Sequence, residues 1–334
     1  MSAPLRVAFD GAPIDDGPAL GSAQAFLTGL RAYAARWPGC AVLLLPDGAQ
    51  DPGIAGVEVV PAPRGALRRQ VVLPRLVRAA RAAVLHSPVA AVPLLLRRPK
   101  VATVHDLPWL HPDSGERGTR RQRAATTRSL RAADAVLAPS RFTLDAARAL
   151  VRDPARLHLV PHGAAPPRQP PPAPGDRHGP LLALGDDRPR KNRVRVQAAW
   201  KLARRRCPEL PELCFAGPPY NVVDDAGKQA LLRGCRALVH VSLFEGFGLP
   251  VLEGLANGCP VLCSDLPPHR EIADDAALFV DPRDPGAIAE GLVRIATDDE
   301  LRARLAATGP ARAARFPPDA VATAWRHLHE ELAR

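Results

Sequence analysis

The sequence contains few features of a membrane-spanning or nucleic-acid-binding protein. No apolar run approaches the roughly twenty residues that a helix needs to cross a bilayer. Aromatic residues make up 4% of the chain, and they do not accompany the basic residues. Proteins that bind single-stranded nucleic acid stack bases on aromatic side chains. The net charge of +11 therefore does not predict a nucleic-acid partner.

Lysine is also scarce, while arginine and alanine are abundant, so the charge reflects a compositional bias. Lysine occurs at four positions, Lys100, Lys191, Lys201 and Lys228.

In one predicted helical stretch, arginine residues are interspersed with apolar residues: Arg68, Arg69, Arg75, Arg78 and Arg81. Such a stretch is compatible with contact to an anionic membrane surface, and equally with an ordinary helix covering a sheet. Pro74 interrupts its amphipathic face.

Cysteine usage indicates a reducing compartment and no metal centre. The six cysteines are irregularly spaced, as expected for reduced core thiols of a cytoplasmic protein. Cys259 and Cys263 are close in sequence but lack a second pair of ligands, so no metal site is expected there. Residues 1–6 lead directly into a predicted strand, and no signal peptide is expected.

The length of 334 residues and the order of predicted elements indicate two α/β domains. Strands and helices alternate, which is typical of a mostly parallel sheet covered on both faces. A first Rossmann-like domain is predicted over 1–165 and a second over 181–317. Between them, residues 166–180 are rich in proline and are predicted to form a semi-rigid linker. A last helix over 318–334 is predicted to cross back to the first domain, and a ligand cleft is expected between the domains.

Residues 236–265 predict a strand–turn–helix–strand unit, around which the second domain is organised. A short apolar run ends at Ser242, and the glycine-containing turn Glu245–Gly248 follows. Pro250 suits the first turn of a helix, and Gly258 suits its end. The helix N-terminus then lies at the carboxyl ends of the strands, where open parallel sheets bind ligands such as a diphosphate.

Several motifs in this order resemble the retaining nucleotide-sugar glycosyltransferases of family 4, also called group 1, which have the GT-B fold. The most specific is Glu245-Gly-Phe-Gly-Leu-Pro-Val-Leu-Glu253, two glutamates separated by seven residues. Further matching runs are Asn257–Val261, Asp281-Pro282, Pro189-Arg190-Lys191-Asn192, Thr103–Leu107 and Val160–Gly163. The resemblance covers nearly the whole chain and implies two Rossmann-like domains facing each other across a cleft.

The resemblance implies a role for each matching residue in the second domain. Arg190 and Lys191 would neutralise the donor diphosphate, because no metal triad is apparent and no cofactor is expected. Glu253 would accept hydrogen bonds from the ribose hydroxyls. Glu245 would hold the donor sugar, together with the backbone amides of the turn and the helix start at Phe247, Gly248 and Leu249.

Two residues of the first domain would complete the site. His105 resembles the histidine that contacts the transferred sugar, and Gly21 would let the backbone approach the phosphate. The expected partners are a nucleotide sugar and a carbohydrate or lipid-linked acceptor. The form of residues 189–192 is similar to that of mannosyltransferases of surface polysaccharide synthesis.

The sequence departs from the family pattern at two places. Gly185 is followed by Asp186 and Asp187, so phosphate neutralisation either shifts to Arg188 or is weaker. Residues 217–231 are short, and a helix and a strand that normally help to read the nucleotide base are absent from the predicted order. That strand would lie at a sheet edge, so its loss leaves the fold possible.

The motifs leave one alternative function open and exclude another. A non-catalytic homologue that binds nucleotide sugar as a partner subunit would share all of these motifs. A two-domain NAD-dependent dehydrogenase is excluded by the lack of a Gly-x-Gly-x-x-Gly turn after either first strand.

Overall fold

The computed structural model describes residues 4–14, 21–219 and 221–334. The strands are β1 Val7–Asp10, β2 Ala41–Pro46, β3 Val57–Ala62, β4 Val84–Ser87, β5 Lys100–Thr103, β6 Ala135–Ala138, β7 Leu157–Leu159, β8 Leu181–Leu184, β9 Leu213–Ala216, β10 Ala237–His240, β11 Val261–Ser264 and β12 Leu278–Val280. The helices are α1 Gly21–Arg36, α2 Leu73–Ala79, α3 Arg120–Ala132, α4 Arg141–Arg148, α5 Arg193–Arg206, α6 Asp225–Gly234, α7 Leu249–Ala256, α8 Pro267–Ala273, α9 Pro285–Thr297, α10 Asp299–Ala313 and α11 Pro318–Leu332. No helix in these ranges is long and apolar enough to span a membrane.

The described chain forms two compact units. The first contains the residues up to Leu107, then Gly118–Gly163 and Pro318–Arg334. The second contains Pro108–Arg117 and Ala164–Pro317. Each has one parallel sheet, as expected for the predicted α/β class with the GT-B fold.

The sheet of the first unit has seven parallel strands in the order β3-β2-β1-β4-β5-β6-β7. β1 lies in the middle of the sheet, and its four residues are all buried. A strand that is covered on both faces consists almost entirely of apolar residues. Short continuous apolar runs in the sequence therefore predicted these strands. Helix α11 packs into the same core, where the Trp325 ring lies 5.8 Å from the Phe9 ring and 6.4 Å from the Phe26 ring.

The sheet of the second unit has five parallel strands in the order β12-β11-β10-β8-β9. From β8 the chain first crosses to β9 at one edge, and it then returns to β10 on the other side of β8. The strand order therefore reverses between β8 and β10, and open parallel sheets bind ligands at such a switch point. Since β9 is an edge strand, the short connection over residues 217–224 leads through α6 to β10 without disrupting the sheet.

The proline-rich segment, predicted as a linker over 166–180, lies on the second unit. The side chain of Arg177 is fully buried and donates hydrogen bonds to the carbonyl oxygens of Leu232 at 2.7 Å and Asn257 at 2.6 Å. These carbonyls lie at the ends of α6 and α7, where helices leave carbonyl groups without an internal partner. The composition indicated an irregular segment, but it did not reveal this anchor.

Three local features differ from the sequence prediction. Residues 108–117 contain two 3-10 turns and belong to the second unit, although the first domain was predicted to run unbroken to residue 165. Helix α8 was not predicted, because two consecutive prolines in a short segment suggest a loop. In the structure these prolines form the first turn of the helix, a position that proline tolerates. The sequence pattern predicts a helix over Glu300–Ala307, whereas α10 continues through Pro310 to Ala313.

Candidate functional site

The candidate site lies in the second unit, at the carboxyl ends of β8 and β10. These strands pair directly, with Ala237 opposite Leu181 and Leu238 opposite Leu182. The segments that follow them, residues 185–192 and 241–248, therefore start side by side. This is the geometry that brings the two most specific motifs of the sequence together.

Asn192 fixes the first of these segments. It adopts a left-handed conformation with φ +59°, which asparagine tolerates better than most residues. Its side-chain nitrogen donates to the carbonyl oxygens of Val241 at 3.0 Å and Pro282 at 2.8 Å. The asparagine thus ties the start of α5 to the loops that follow β10 and β12, and it holds the preceding Arg190 and Lys191 in place.

The Glu245 carboxylate is the centre of a buried polar cluster. Its Oε1 lies 2.7 Å from Lys191 Nζ, 2.8 Å from Ser242 Oγ and 3.1 Å from His240 Nε2. Its Oε2 lies 3.4 Å from Arg190 Nη1. Glu245 is only 7% exposed, so its charge depends on these partners rather than on water. Oε1 thus has three contacts of 3.1 Å or less, whereas the contact of Oε2 with Arg190 is longer.

The pKa values in this cluster follow from burial and the two cations. Burial acts to raise the pKa of Glu245, but Lys191, the His240 hydrogen bond and Arg190 hold it well below the ordinary value. Burial lowers the pKa of His240, although Glu245 acts in the opposite direction. At neutral pH we therefore assign an ionised Glu245 and a neutral His240 that donates its Nε2 proton to the carboxylate.

Arg190 also approaches a second carboxylate. Its Nε lies 3.0 Å from Oε1 of Glu116, and its guanidinium is 7% exposed. Arg188, which the sequence offered as an alternative phosphate ligand, is bound by Asp186: its Nε and Nη2 lie 3.0 Å and 2.7 Å from Asp186 Oδ2. Its Nη1 is also 3.8 Å from Glu116.

The start of helix α7 lies beside this cluster. Gly248 caps the helix with φ +115°, a conformation that favours glycine. A Cβ atom on Gly248 would lie 2.8 Å from Cδ2 of the buried His269 ring. His269 Nδ1 lies 3.0 Å from the carbonyl oxygen of Ser264, and burial lowers its pKa to about 4, so the ring is neutral. A small, tightly supported turn therefore precedes the N–H groups of Leu249 and the first helical turn.

Glu253 lies one turn further along α7 and pairs with Lys228 of α6. Lys228 Nζ is 2.5 Å from Glu253 Oε1 and 3.6 Å from Asp225 Oδ1. Burial raises the pKa of Glu253, and Lys228 acts against that shift. One carboxylate oxygen of Glu253 is thus bound to lysine.

The remaining predicted residues are placed as follows. The Phe247 side chain is 5% exposed and its ring packs edge-on to Phe316 at 6.2 Å, so its side chain belongs to the core. Gly21 is the first residue of α1 in the first unit, and residues 15–20 before it lie outside the described ranges. The role predicted for Gly21 stays a prediction.

His105 follows β5 in the first unit and is paired with a second histidine. Its Nδ1 lies 3.1 Å from His162 Nε2, and its Nε2 lies 2.8 Å from the Pro88 carbonyl oxygen. Burial lowers the pKa of both imidazoles, and His105 further lowers that of His162. Both contacts are satisfied if each ring is neutral and carries its proton on Nε2. His162 then donates to His105 Nδ1, and His105 donates to the Pro88 carbonyl oxygen. The two motifs Thr103–Leu107 and Val160–Gly163 are thus adjacent in space.

A small recess adjoins the Glu245 cluster at the same strand ends. Lys191, Arg193, Phe215, His240 and Ser242 line part of it. The Arg193 guanidinium lies over the Phe215 ring at 5.1 Å from its centroid. Within the described ranges no group of three or more His, Cys, Asp or Glu residues could hold a metal ion. The predicted lack of a metal and of a cofactor stays a prediction.

Sequence reasoning missed five residues that contact the predicted ones: Glu116, Lys228, His240, Ser242 and His162. Two signals were available. A histidine inside the buried apolar strand β10 requires a polar partner, and Ser242 ends the same strand. Lys228 is one of four lysines in an arginine-rich chain. No such signal in the sequence pointed to Glu116. Its contact with Arg190 depends on the fold of the 108–117 segment, which lies between β5 and β6 in the chain.

Two family models match separate parts of the chain. The model described as Glycosyltransferase Family 4 matches residues 39–168, and the model described as Glycosyl transferases group 1 matches residues 220–312. Together they cover about two thirds of the chain. The second match contains the whole Glu245–Glu253 motif together with Lys228.

Similar proteins include O-antigen chain mannosyltransferase B of Escherichia coli, which is 38% identical over 94 residues. That alignment covers 28% of this chain and 25% of the relative, so the chain matches about a quarter of that protein. Sucrose-phosphate synthase from Thermosynechococcus elongatus has a TM-score of 0.80 at 17% identity, covering 98% of this chain and 99% of the other. Anabaena Alr3699/HepE in complex with UDP-glucose has a TM-score of 0.75 at 17% identity, covering 98% and 100%. These two likenesses show the shared fold.

Proposed function

Because the chain belongs to the family 4 glycosyltransferases, also called group 1, and has their GT-B fold, we propose that it transfers a sugar from a nucleotide-diphosphate sugar to an acceptor hydroxyl. The observation that carries this proposal is the buried Lys191–Glu245–Arg190 cluster beside the Gly248 turn. Two cations and a helix N-terminus at a strand switch point suit a diphosphate.

Each part of the donor has a candidate partner in the second unit. The diphosphate would bind Arg190, Lys191 and the N–H groups at the start of α7, including that of Leu249. The sugar hydroxyls would donate to Oε2 of Glu245, the oxygen with the weaker contacts. The ribose hydroxyls would donate to Glu253, whose second oxygen is held by Lys228.

In the proposed transfer the bond between the anomeric carbon and the diphosphate oxygen breaks, and a bond to the acceptor oxygen forms on the same face of the sugar. The acceptor proton goes to the leaving diphosphate, so no protein base is required. Positioning and charge neutralisation then supply most of the catalysis. The neutral ring of His105 suits a hydrogen-bonding rather than a charged role, and its predicted contact with the transferred sugar stays a prediction.

We assign mannose or a similar hexose as the transferred sugar and a glycan or glycolipid as the acceptor. The support is the form of residues 189–192 and the name of the Escherichia coli relative, an O-antigen chain mannosyltransferase. A structural neighbour was solved with UDP-glucose, so uridine nucleotides belong in the same tests.

The test is a screen of nucleotide sugars, with GDP-mannose and UDP-glucose first, for thermal stabilisation. A binding donor is then assayed for hydrolysis and transfer, and the product anomer is identified by NMR. Lys191→Ala and Glu253→Ala are each expected to lower transfer more than tenfold relative to wild type, by loss of transition-state binding of about 1.4 kcal/mol or more. Near-normal turnover in either variant would refute the assignment. Binding without hydrolysis or transfer would instead favour a non-catalytic partner subunit.

An anionic membrane surface is the second proposed partner, and it concerns the first unit. Residues 59–105 contain nine basic residues and no acidic residue. Lys100 is buried and Arg68 pairs with the buried Asp10, whereas the exposed basic residues include Arg75, Arg78, Arg81, Arg97 and Arg98. The exposed leucines Leu94 and Leu95 follow β4, and the Leu94 N–H donates to Gln70 Oε1 at 2.9 Å. This bond joins their loop to the arginine-rich π-helical turn Arg68–Val72, which follows the exposed Leu67.

Apolar and basic side chains on one surface fit the boundary of an anionic bilayer. Sedimentation with phosphatidylglycerol vesicles tests this, with phosphatidylcholine vesicles as the comparison. Replacing Leu94 and Leu95 with serine is expected to reduce binding at least about threefold, given roughly 0.8 kcal/mol for each buried CH₂ group. Val194→Ser is the matched control, since Val194 is 85% exposed on the second unit. Equal binding to both vesicle types would contradict the proposal.

A further inference from the structure

The cations of residues 188–191 are already matched by carboxylates. Lys191 pairs with Glu245, Arg188 pairs with Asp186, and Arg190 lies between Glu245 and Glu116. Three positive side chains thus face three negative ones. A diphosphate carries at least two negative charges, so it binds such a balanced cluster well only if one carboxylate gives way.

Two of these carboxylates are held by their own surroundings. Glu245 accepts hydrogen bonds from Ser242 and His240 besides its cations, and all three lie on one short stretch after and within β10. Asp186 accepts a hydrogen bond from the Arg188 backbone N–H at 3.1 Å as well as from its side chain. Neither leaves without rearranging the strand ends.

Glu116 differs from both. It lies on the 108–117 segment, which belongs to the second unit but is connected at both ends to residues of the first. Its Oε1 is 3.0 Å from Arg190 Nε, yet that oxygen makes no aligned hydrogen bond with a described residue. Its side chain is 27% exposed, the highest value of the three carboxylates. The contact is electrostatic, and a better-aligned oxygen can replace it.

An ion pair and a ring contact connect the 108–117 segment to the rest of the second unit. Asp113 pairs with Arg283 at 2.5 Å with both side chains more than half exposed, and the His111 ring lies 5.0 Å from the Phe244 ring. Gly115 and Gly118 on either side of Glu116 have φ +68° and φ +57°. Exposed ion pairs contribute little to stability, so the Asp113–Arg283 pair holds this segment only weakly.

From these contacts we infer that Glu116 occupies the place of a diphosphate oxygen on Arg190 and is displaced when the donor binds. This inference rests on the proposed glycosyltransferase function. Glu116 sets the affinity for nucleoside diphosphates by competing for Arg190, and the 108–117 segment moves away from Arg190 on binding.

The test compares wild type, Glu116→Gln and Asp187→Asn by calorimetric titration with GDP and with UDP. Glu116→Gln keeps the shape of the side chain and removes its charge. It is expected to bind the preferred nucleotide about three- to fivefold more tightly, as for loss of a partly exposed ion pair that competes with the ligand. Asp187→Asn makes the same change in net charge at an exposed neighbour, and less than about a twofold change is expected there because solvent screens exposed charges.

Hydrogen exchange of peptides covering 108–117 in wild type gives a second reading. Exchange is expected to increase on adding the nucleotide. Unchanged or weaker binding by Glu116→Gln, or protection of 108–117, would overturn the inference while leaving the proposed function in place. Failure of wild type and Glu116→Gln to bind either nucleotide would instead refute the proposed function, and the inference with it.

Discussion

Replacing Lys191 with methionine is the sharpest test of the buried cluster. Lys191 supplies the cation closest to Glu245, at 2.7 Å, and both side chains are nearly buried. Methionine keeps much of the length of the side chain but removes its charge. The Glu245 carboxylate then remains buried with Arg190 at 3.4 Å as its only described cation within 4 Å.

The expected loss of stability follows from these contacts. Removing one partner of a buried ion pair costs about 3–5 kcal/mol, because the other charge stays buried without compensation. Arg190 and the hydrogen bonds from Ser242 and His240 remain in Lys191→Met, so we expect about 3 kcal/mol, the lower end of that range. The double variant Lys191→Met/Glu245→Gln is expected to recover about 2 kcal/mol, since it removes the uncompensated charge.

The loss of stability in Lys191→Met should depend on pH, because it comes from the ionised Glu245 carboxylate. The folded state holds the pKa of Glu245 below its ordinary value of 4.5. Its contribution to stability is therefore fully present above the unfolded pKa, and it is lost as the pH falls through the lower folded value. The difference between wild type and Lys191→Met should be largest near pH 7 and should shrink below about pH 4.

Urea unfolding combined with hydrogen exchange of peptides over 237–247 measures this difference in the second unit, independently of the first. A variant as stable as wild type at pH 7 would refute the ion-pair account. So would a loss that persists unchanged in acid, because that would indicate a packing defect rather than an unpaired charge.

Three further outcomes follow from other contacts. Lys228→Met should weaken binding of the donor nucleotide about threefold or more by releasing Glu253, and an unchanged Kd in calorimetry would count against their coupling. Gly248→Ala should lower the free energy of unfolding by about 1–3 kcal/mol, since φ is +115° and the new Cβ meets His269, and wild-type stability in urea would contradict this. Burial holds the pKa of His269 at about 4 and that of His86 at about 3, below the ordinary 6.5, so stability should fall from about pH 6.5 towards pH 4. His269→Gln should flatten that fall, and an identical pH profile of unfolding would exclude His269 as a source.

Most strands could be predicted from the sequence because parallel strands buried on both faces are short continuous apolar runs. Helix ends were harder, and α10 shows why. Gly309-Pro310 reads as a stop, yet a Cβ at position 309 would lie 3.0 Å from the Leu255 carbonyl oxygen. The glycine therefore permits close packing of α10 on α7, and this packing outweighs the local preference against glycine and proline in a helix.

The motifs singled out Arg190, Lys191 and Glu245, which lie together in the structure, but they did not indicate how these residues bind each other. Lys191 and Glu245 are 54 positions apart, and their contact follows only from the pairing of β8 with β10. The role of Glu116 depends on the fold of the 108–117 segment, which local sequence does not specify. The joining of His105 and His162 likewise depends on neighbouring strands, β5, β6 and β7, in the first sheet.

The buried Arg177 determines where the chain can be divided for separate expression of the second unit. A fragment that starts at β8, the natural choice from the strand pattern, would lack this guanidinium. The buried Asn257 carbonyl would then lose its Arg177 donor, at about 1–3 kcal/mol, and the Leu232 carbonyl would keep only the longer contact from the Cys235 thiol at 3.6 Å. A fragment that begins at residue 164 keeps the arginine in its place. The boundary between the two halves for expression thus precedes the proline-rich segment rather than following it.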